Sequence, residues 1–416
     1  MMFQTHQLEN GLRIVCAHSQ SDVVYCGLAV DAGTRDENAD ESGVAHFAEH
    51  LSFKGTTHRS ARQIITRMES VGGDLNAFTG KEETVFYCTL LRQHLNRAID
   101  LLLDIALCST FPQHEMDHEV EVVIDEIESY NDQPAELIYD EFEAILFPSH
   151  PLGRNILGSP ERLRQLRSSD MQRYARRLFV PARMVLFVYG RTDIDKVLKM
   201  VNRSPALQQY AAHTNSLSEK ACPRVPAMAI PDETPRVTTR ARNCHQAHVM
   251  IGCRTFAATD ERHLDLFLLN NLLGGPAMSS RLNLALRERN GLVYTVESNQ
   301  VGYTDSGFWS TYFGCDHHDV ERCRRLVLHE LRRLTEAPLS QRTLEAARRQ
   351  LKGQLGVSFD NSENVAIGMG KRFLHYHRTQ SMEQIFQRLD TLTPEHLWET
   401  AREVFAPERL ITLIYT

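Results

Sequence analysis

The feature that most constrains the fold is an internal repeat shared by the two halves of the chain. Residues 178–189, LFVPARMVLFVY, align with residues 404–415, VFAPERLITLIY, with Phe, Pro, Arg and Tyr in register. In this alignment Phe179 matches Phe405, so the second copy follows the first at more than half the length of the chain. The strand-like run from Val85 to Leu91 corresponds in the same way to the run from Phe308 to Gly314. A repeat at this spacing predicts that one domain type occurs twice.

Each copy mixes short strand-like segments with longer helical ones, which favours an α+β fold. Asp74 to Thr79 and Glu83 to Leu91 have the pattern of paired strands. A stretch with five prolines and no sustained period separates the copies. We therefore predict two tandem duplicated α+β domains, each an antiparallel sheet packed with helices, at residues 1–204 and 236–416, with a linker at 205–235.

Composition narrows the possible partners and compartments. A net charge of −7 argues against nucleic acid and against a basic membrane-binding surface. No apolar run approaches the ~18 residues of a membrane-spanning helix, and no signal peptide is evident. The nine cysteines are scattered without a C-x-x-C pair, which favours a reducing compartment. We expect a bacterial cytoplasm or, alternatively, a mitochondrial matrix after removal of a transit peptide.

The residues that carry chemistry lie in the segment 42–56, SGVAHFAEHLSFKGT. It is predicted to form a short helix with Ser42 as its N-cap and Gly55 as its C-terminal stop. His46 and His50 are four residues apart, so they project from one face, with Glu49 beside them. Two neutral imidazoles at this spacing can bind one zinc ion, and an adjacent carboxylate can accept a proton from water. The alternative is a polar helix face that happens to carry two histidines.

A catalytic zinc site of this kind needs a third protein ligand. Candidates are the carboxylates of a predicted acidic helix, where Glu119 and Glu126 are two turns apart and share a face. Three others, Glu121, Asp125 and Glu128, lie elsewhere on that helix and are expected in solvent. The second copy of the repeat reads LFLLNN at 266–271 where a histidine helix is expected, so the site belongs to one half only.

The H-x-x-E-H order is the inverzincin signature, and the chain resembles the pitrilysin-type zinc peptidases. That family includes insulin-degrading enzyme and the two-domain mitochondrial processing peptidase. The family joins the motif to a distal glutamate, at the same spacing that separates His50 from Glu126 in this chain. The resemblance implies that Glu126 is the third ligand of one zinc ion per chain, and that Glu119 supports the catalytic site.

Two further segments match the family. Asn76 and Ala77 resemble the pair on an edge strand that binds the substrate backbone by strand addition; taken alone, this segment is a turn followed by an ordinary edge strand. Arg287 and Tyr294 resemble an arginine and a tyrosine that reach the substrate near the zinc. In isolation they would be read as an exposed basic helix and a core tyrosine.

The resemblance implies a zinc endopeptidase in which Glu49 is the general base, Tyr294 stabilises the oxyanion and Arg287 holds substrate carbonyls. Family members enclose unfolded peptides between two halves of a clamshell, and this chain would form one half. We expect a homodimer or, alternatively, a heterodimer with a zinc-free homologue.

Two other functions, and one other candidate pair of metal ligands, remain open from the sequence. Relatives of this family serve as non-catalytic structural or assembly subunits, although this chain keeps every metal ligand. A thiol hydrolase would need a cysteine in a nucleophile motif, and none is recognisable. His245 and His248 could mimic a ligand pair, but a structural role is the expected one.

Overall fold

The computed structural model describes residues 3–213, 224, 226, 230, 234 and 236–416. The strands are β1 (Phe3–Gln7), β2 (Arg13–His18), β3 (Val23–Val30), β4 (Asp74–Thr79), β5 (Thr84–Leu91), β6 (Met184–Gly190), β7 (Val237–Arg240), β8 (Ala247–Thr255), β9 (Val293–Gly302), β10 (Gly307–Cys315) and β11 (Ile411–Tyr415).

The α-helices run from α1 to α15, and a π-helical segment covers Asn283–Glu288. Their bounds are α1 (Val44–Ser52), α2 (Ala61–Glu69), α3 (Leu95–Leu107), α4 (Gln113–Asn131), α5 (Pro134–Leu146), α6 (Pro160–Leu163), α7 (Ser168–Leu178), α8 (Ile194–Val201), α9 (Pro205–His213), α10 (Arg262–Gly274), α11 (Val320–Glu336), α12 (Gln341–Ser358), α13 (Ser362–Tyr376), α14 (Met382–Thr391) and α15 (Pro394–Val404).

The strands form two sheets with the same topology. The six-stranded sheet has the order β1-β2-β6-β3-β5-β4, and the five-stranded sheet has the order β7-β11-β8-β10-β9. Without β1 the two orders correspond strand by strand, and each contains one parallel pair, β2 with β6 and β7 with β11. All other pairs are antiparallel. The predicted α+β class with duplicated domains is confirmed, and the parallel pair is the one departure from a purely antiparallel sheet.

Each sheet is covered by a helix from the other half of the chain. The first compact unit comprises Met1–Glu128, Arg154–Arg224 and Val357–Met382, and the second comprises Ser129–Gly153, Val225–Gly356 and Glu383–Thr416. Helix α13 thus packs on β3 and β6, while α5 packs on β8 and β11. The predicted domains, drawn in chain order, did not anticipate this exchange. Of the predicted linker 205–235, α9 packs on α3, and most of the remainder lies outside the described residues.

The exchanged helix α13 fits closely against the first sheet. Phe187 of β6 is fully buried, and its ring lies between two glycines, Gly27 of β3 and Gly370 of α13. A Cβ atom at Gly27 would lie 2.1 Å from this ring, and one at Gly370 would lie 2.3 Å from it. The two glycines therefore provide the space that the aromatic ring fills. Within the described ranges, no helix has both the length and the apolar character needed to cross a membrane.

Candidate metal centre

Helix α1 presents the histidine motif from a buried position. Val44, Phe47 and Leu51 are fully buried, as their spacing predicts for one apolar stripe. The helix begins after Gly43, whose φ of +85° is left-handed, and a Cβ atom there would lie 3.0 Å from the Gly158 Cα. Only glycine meets both conditions without strain.

The N-cap prediction was wrong: the cap residue is Gly43, not Ser42. A side chain from outside the helix accepts a hydrogen bond from one of the backbone N–H groups of the first turn. The Ala45 N–H donates to Glu37 Oε1 at 2.9 Å. Burial raises the pKa of Glu37 to about 8, against the hydrogen bond from Ala45 and the charge of Arg154. The motif helix therefore begins against a buried carboxyl group that the sequence analysis did not single out.

His46, His50 and Glu126 converge. The Nε2 atoms of His46 and His50 lie 3.8 and 3.6 Å from the two carboxylate oxygens of Glu126, and the three ligand atoms are all within 4.8 Å of one another. Zinc bonds of 2.0–2.2 Å in a tetrahedral arrangement place neighbouring ligand atoms about 3.4 Å apart. The two His–Glu separations exceed that value by a few tenths of an ångström. With all three ligand atoms within 4.8 Å of one another, small side-chain shifts would fit them to one zinc ion.

The pKa values of the two histidines shift in opposite directions. Burial, with a contribution from the neighbouring His50, lowers the pKa of His46 to about 3, so its imidazole is neutral as a metal ligand must be. Burial alone would also lower the pKa of His50, but the hydrogen bond with Glu119 and nearby carboxylates raise it instead. The same carboxylates that raise the pKa of His50 would also attract a metal cation to this cluster.

Glu119 orients His50 through Nδ1, the ring nitrogen that does not face Glu126. Its Oε1 lies 3.0 Å from His50 Nδ1, and its Oε2 lies 2.5 Å from Lys54 Nζ. Donation from Nδ1–H to the carboxylate leaves the lone pair of Nε2 on the side of Glu126. Burial would raise the pKa of Glu119, but the bonds to His50 and Lys54 lower it. His46 lacks such support, because its buried Nδ1 has no hydrogen-bond partner in the described parts of the chain.

Glu49 lies beside the ligands in a buried position, with 7% of its surface exposed. Its Oε2 accepts a hydrogen bond of 2.6 Å from Thr79 Oγ1. Burial raises the pKa of Glu49 above its usual value, although the Thr79 hydroxyl and His50 oppose the shift. Sequence reasoning missed Thr79, and the one signal available was its place at the end of the strand that carries Asn76 and Ala77.

Strand β4 is the last strand of its sheet, as predicted, and it pairs with β5. Asn76 is exposed on this strand, and its side-chain oxygen accepts a hydrogen bond of 2.9 Å from the Ala77 N–H. An edge strand presents backbone groups that can pair with an extended peptide. Substrate binding at Asn76 and Ala77 stays a prediction.

Arg287 and Tyr294 lie in the second compact unit. Arg287 belongs to the π-helical segment, and Tyr294 is on β9, the edge strand equivalent to β4. The Tyr294 side chain is 81% exposed, so the core-tyrosine alternative is wrong. The Arg287 guanidinium lies 5.4 Å from the centre of the Tyr294 ring. Their role in contacting substrate stays a prediction.

The competing sites find less support. His248 bonds to Tyr312 Oη at 2.8 Å, and neither it nor His245 belongs to a possible metal group of the described residues. A group of His58, Asp104 and Cys108 does exist, but the Asp104 carboxylate already pairs with Arg59 at 2.5 Å.

Burial raises the pKa of most described cysteines, among them Cys16, Cys88 and Cys253. A raised thiol pKa is the opposite of what a nucleophilic cysteine needs.

The chain matches known protein families over most of its length. Residues 13–160 match the family described as insulinase (peptidase family M16), and residues 165–351 match the M16 inactive domain. A Bacillus subtilis protein described as the uncharacterized zinc protease YmxG is 31% identical over 414 residues, which cover 99% of this chain and 98% of that protein. A Streptomyces coelicolor protein, also described as a zinc protease, is 31% identical over 98% of this chain and 88% of its own length.

Solved structures share the fold. A protease from Helicobacter pylori superposes with a TM-score of 0.90 at 21% identity, covering 100% of this chain and 99% of that chain. An M16 inactive-domain protein from Pseudomonas fluorescens superposes with a TM-score of 0.85 at 18% identity, covering 100% and 98%. The family matches over both halves, together with the two relatives at 31% identity, show that the chain belongs to the insulinase-like M16 family of peptidases.

Proposed function

We propose that this protein is a zinc-dependent endopeptidase that hydrolyses unfolded peptides. The observation that carries the proposal is the convergence of His46, His50 and Glu126 beside the buried carboxyl group of Glu49. The description of two full-length relatives as zinc proteases supports it.

The residues fit distinct roles around the metal. His46 and His50 would bind zinc through Nε2 and Glu126 through a carboxylate oxygen, while Glu119 holds the His50 ring in place. When bound, zinc supplies Lewis acidity that polarises the substrate carbonyl and makes water more acidic. The exposure of the Glu126 side chain, 45%, against 10% for that of His46, leaves the Glu126 side of the site accessible to substrate.

Glu49 performs the proton transfers. It takes a proton from water as the water oxygen attacks the scissile carbonyl carbon, and it returns that proton to the amine nitrogen when the C–N bond breaks. Its raised pKa suits this task, because a base must also be able to release the proton. Glu49 contributes no ligand in this assignment.

The substrate is an extended peptide. Strand addition to β4 would hold its backbone at Asn76 and Ala77 and would require the chain to be locally unfolded. Arg287 and Tyr294 would contact the substrate from a second copy of the chain, in a chamber closed by a homodimer. Specificity would then depend on chamber size and charge as much as on one side-chain pocket.

The experiment compares two substitutions at the metal centre. Glu49→Gln is expected to keep zinc but lose hydrolysis of a mixed peptide library, because it removes a base and no ligand. Glu126→Gln is expected to lower zinc content after dialysis as well. Glu128→Gln, on an exposed position of the same helix, is the matched control and should behave as the unaltered protein.

Two results would contradict this assignment. Equal zinc loss in the Glu49 and Glu126 variants would make Glu49 a ligand rather than the base. A zinc-loaded, unaltered protein that cleaves no peptide of the library would favour the non-catalytic structural subunit instead.

A further inference from the structure

The two carboxylate oxygens of Glu49 have different surroundings. Oε2 accepts the short hydrogen bond from Thr79 Oγ1, at 2.6 Å. In the described ranges no hydrogen bond reaches Oε1. A carboxylate held through one oxygen has a defined orientation, and its second oxygen remains available to accept a proton. This division of roles is what a general base next to a metal centre needs.

Thr79 is presented by a short hairpin. It is the last residue of β4 and pairs with Thr84, the first residue of β5. The Gly80 N–H donates to the Glu83 carbonyl at 2.7 Å, which closes the connecting turn. Thr84 Oγ1 in turn donates to the carbonyl of Ala32 at 2.9 Å, so both ends of the hairpin are attached.

The turn itself is buried, although hairpin turns usually lie at the surface. Lys81, Glu82 and Glu83 are only 6%, 4% and 8% exposed. Glu82 pairs with Arg35 at 2.7 Å, and the Lys81 ammonium donates to the carbonyl of Arg154. Three charged side chains in succession are therefore held by specific partners.

The exchanged helix α13 provides the remaining partners. Glu83 Oε2 lies 2.9 Å from His375 Nε2, and Glu83 Oε1 lies 2.5 Å from Lys371 Nζ. A turn held by buried ion pairs on several sides loses little additional entropy when Thr79 donates its hydrogen bond. The donor is thus preorganised toward Glu49.

We propose that Thr79 is a positioning residue for the general base Glu49, and that the buried β4–β5 turn keeps its hydroxyl in place. This inference rests on the proposed peptidase function. It also joins two parts of that function, because Asn76 and Thr79 are on the same strand, about 10 Å apart at ~3.3 Å per residue. A peptide added to β4 and the base that acts on it would therefore be located by one rigid hairpin.

The test removes the hydroxyl while keeping the shape of the side chain. In the zinc-loaded protein, Thr79→Val should lower kcat for a peptide substrate at least about tenfold, since misplacement of a catalytic group by ~1 Å costs up to ~100-fold. KM and zinc content should change less than about twofold. Thr79→Ser, which keeps the donor, should restore kcat to within about threefold of the unaltered protein.

Thr89→Val is the matched control. Its hydroxyl also donates to a glutamate, Glu363 at 3.2 Å, but on the neighbouring strand β5 and away from Glu49. It should leave kcat within about twofold. Thr79→Ala removes the same donor without adding a methyl group, so it serves where the valine variant does not fold.

Crystal structures of the variants give a measurement that needs no activity. The Glu49 carboxylate should leave its position in the valine or alanine variant and keep it in the serine variant. The inference is overturned if the carboxylate stays in place without the hydroxyl, if serine fails to restore kcat, or if the loss falls on KM alone. Should the unaltered protein prove inactive, the proposed function fails while the crystal structures still decide the role of Thr79.

Discussion

Replacing Glu119 tests whether zinc binding depends on the carboxylate that hydrogen-bonds to His50. Glu119→Gln keeps the size of the side chain and one acceptor oxygen but removes the negative charge. In the structure the two carboxylate oxygens are divided between His50, at 3.0 Å, and Lys54, at 2.5 Å. An amide has a single oxygen, so it can accept from one of these partners only, and its NH₂ group would face the other.

The expected magnitude follows from this loss. Replacing a partner of a metal-bound histidine typically lowers metal affinity by ~10–100-fold, which corresponds to about 1.4–2.7 kcal/mol. The Glu119 side chain is largely buried, so solvent cannot take over its role at His50. The Lys54 ammonium is partly exposed and can be solvated instead. We therefore expect the zinc affinity to fall by at least about tenfold while the fold stays intact.

The assay is competition for zinc between the protein and a chromogenic chelator at neutral pH. Glu121→Gln is the matched control, because Glu121 is on the same helix in an exposed pair with Arg164 at 3.4 Å. It should bind zinc as tightly as the unaltered protein. Circular dichroism and thermal unfolding of the metal-free proteins show whether the Glu119 substitution changes the fold.

The reasoning would be refuted by a Glu119→Gln protein whose zinc affinity equals that of the control. It would also be refuted if the metal-free variant were unfolded, since the residue would then be needed for folding rather than for orienting His50.

Two further predictions concern assembly and pH. Inactive Glu49→Gln and inactive Tyr294→Phe chains should partly restore activity when mixed, if each site combines two chains; no recovery despite proven subunit exchange would contradict this. Burial would raise the pKa of Glu83, but His375 and Lys371 hold it at about 2, below its usual 4.5. Its stabilising effect, on the order of 3 kcal/mol, is thus present above pH 4.5 and lost toward pH 2. The difference in unfolding free energy between the unaltered protein and Glu83→Gln should therefore shrink as the pH falls from 4.5 toward 2. A difference that stays constant over this range would argue against the ion pairs.

The sequence by itself determined the local features of this protein. The spacing of Val44, Phe47 and Leu51 defines the buried stripe of α1, and the same helical period places His46 and His50 together. These inferences depend only on the geometry of one helix, which is the same in any protein. The repeat likewise indicated two domains of one type, because similar patterns of buried and exposed residues fold in similar ways.

Only the tertiary structure decided which distant segments meet. The sequence of the long segment between His50 and Glu126 does not show that these two residues meet in the fold. The assignment of Glu126 as a ligand came from a family resemblance. Nothing in the local pattern placed Thr79 against Glu49, or Lys54 against Glu119.

The packing of α5 and α13, each on the sheet formed by the other half of the chain, shows the same limit. An amphipathic helix specifies that one face must be buried, but several apolar surfaces of the same protein can accept it. For α13 the choice depends on the fit of Phe187 between Gly27 and Gly370 and on the ion pairs of Glu83 with Lys371 and His375. Such complementarity is a property of surfaces that exist only once the chain has folded, and it is therefore decided by packing rather than by sequence period.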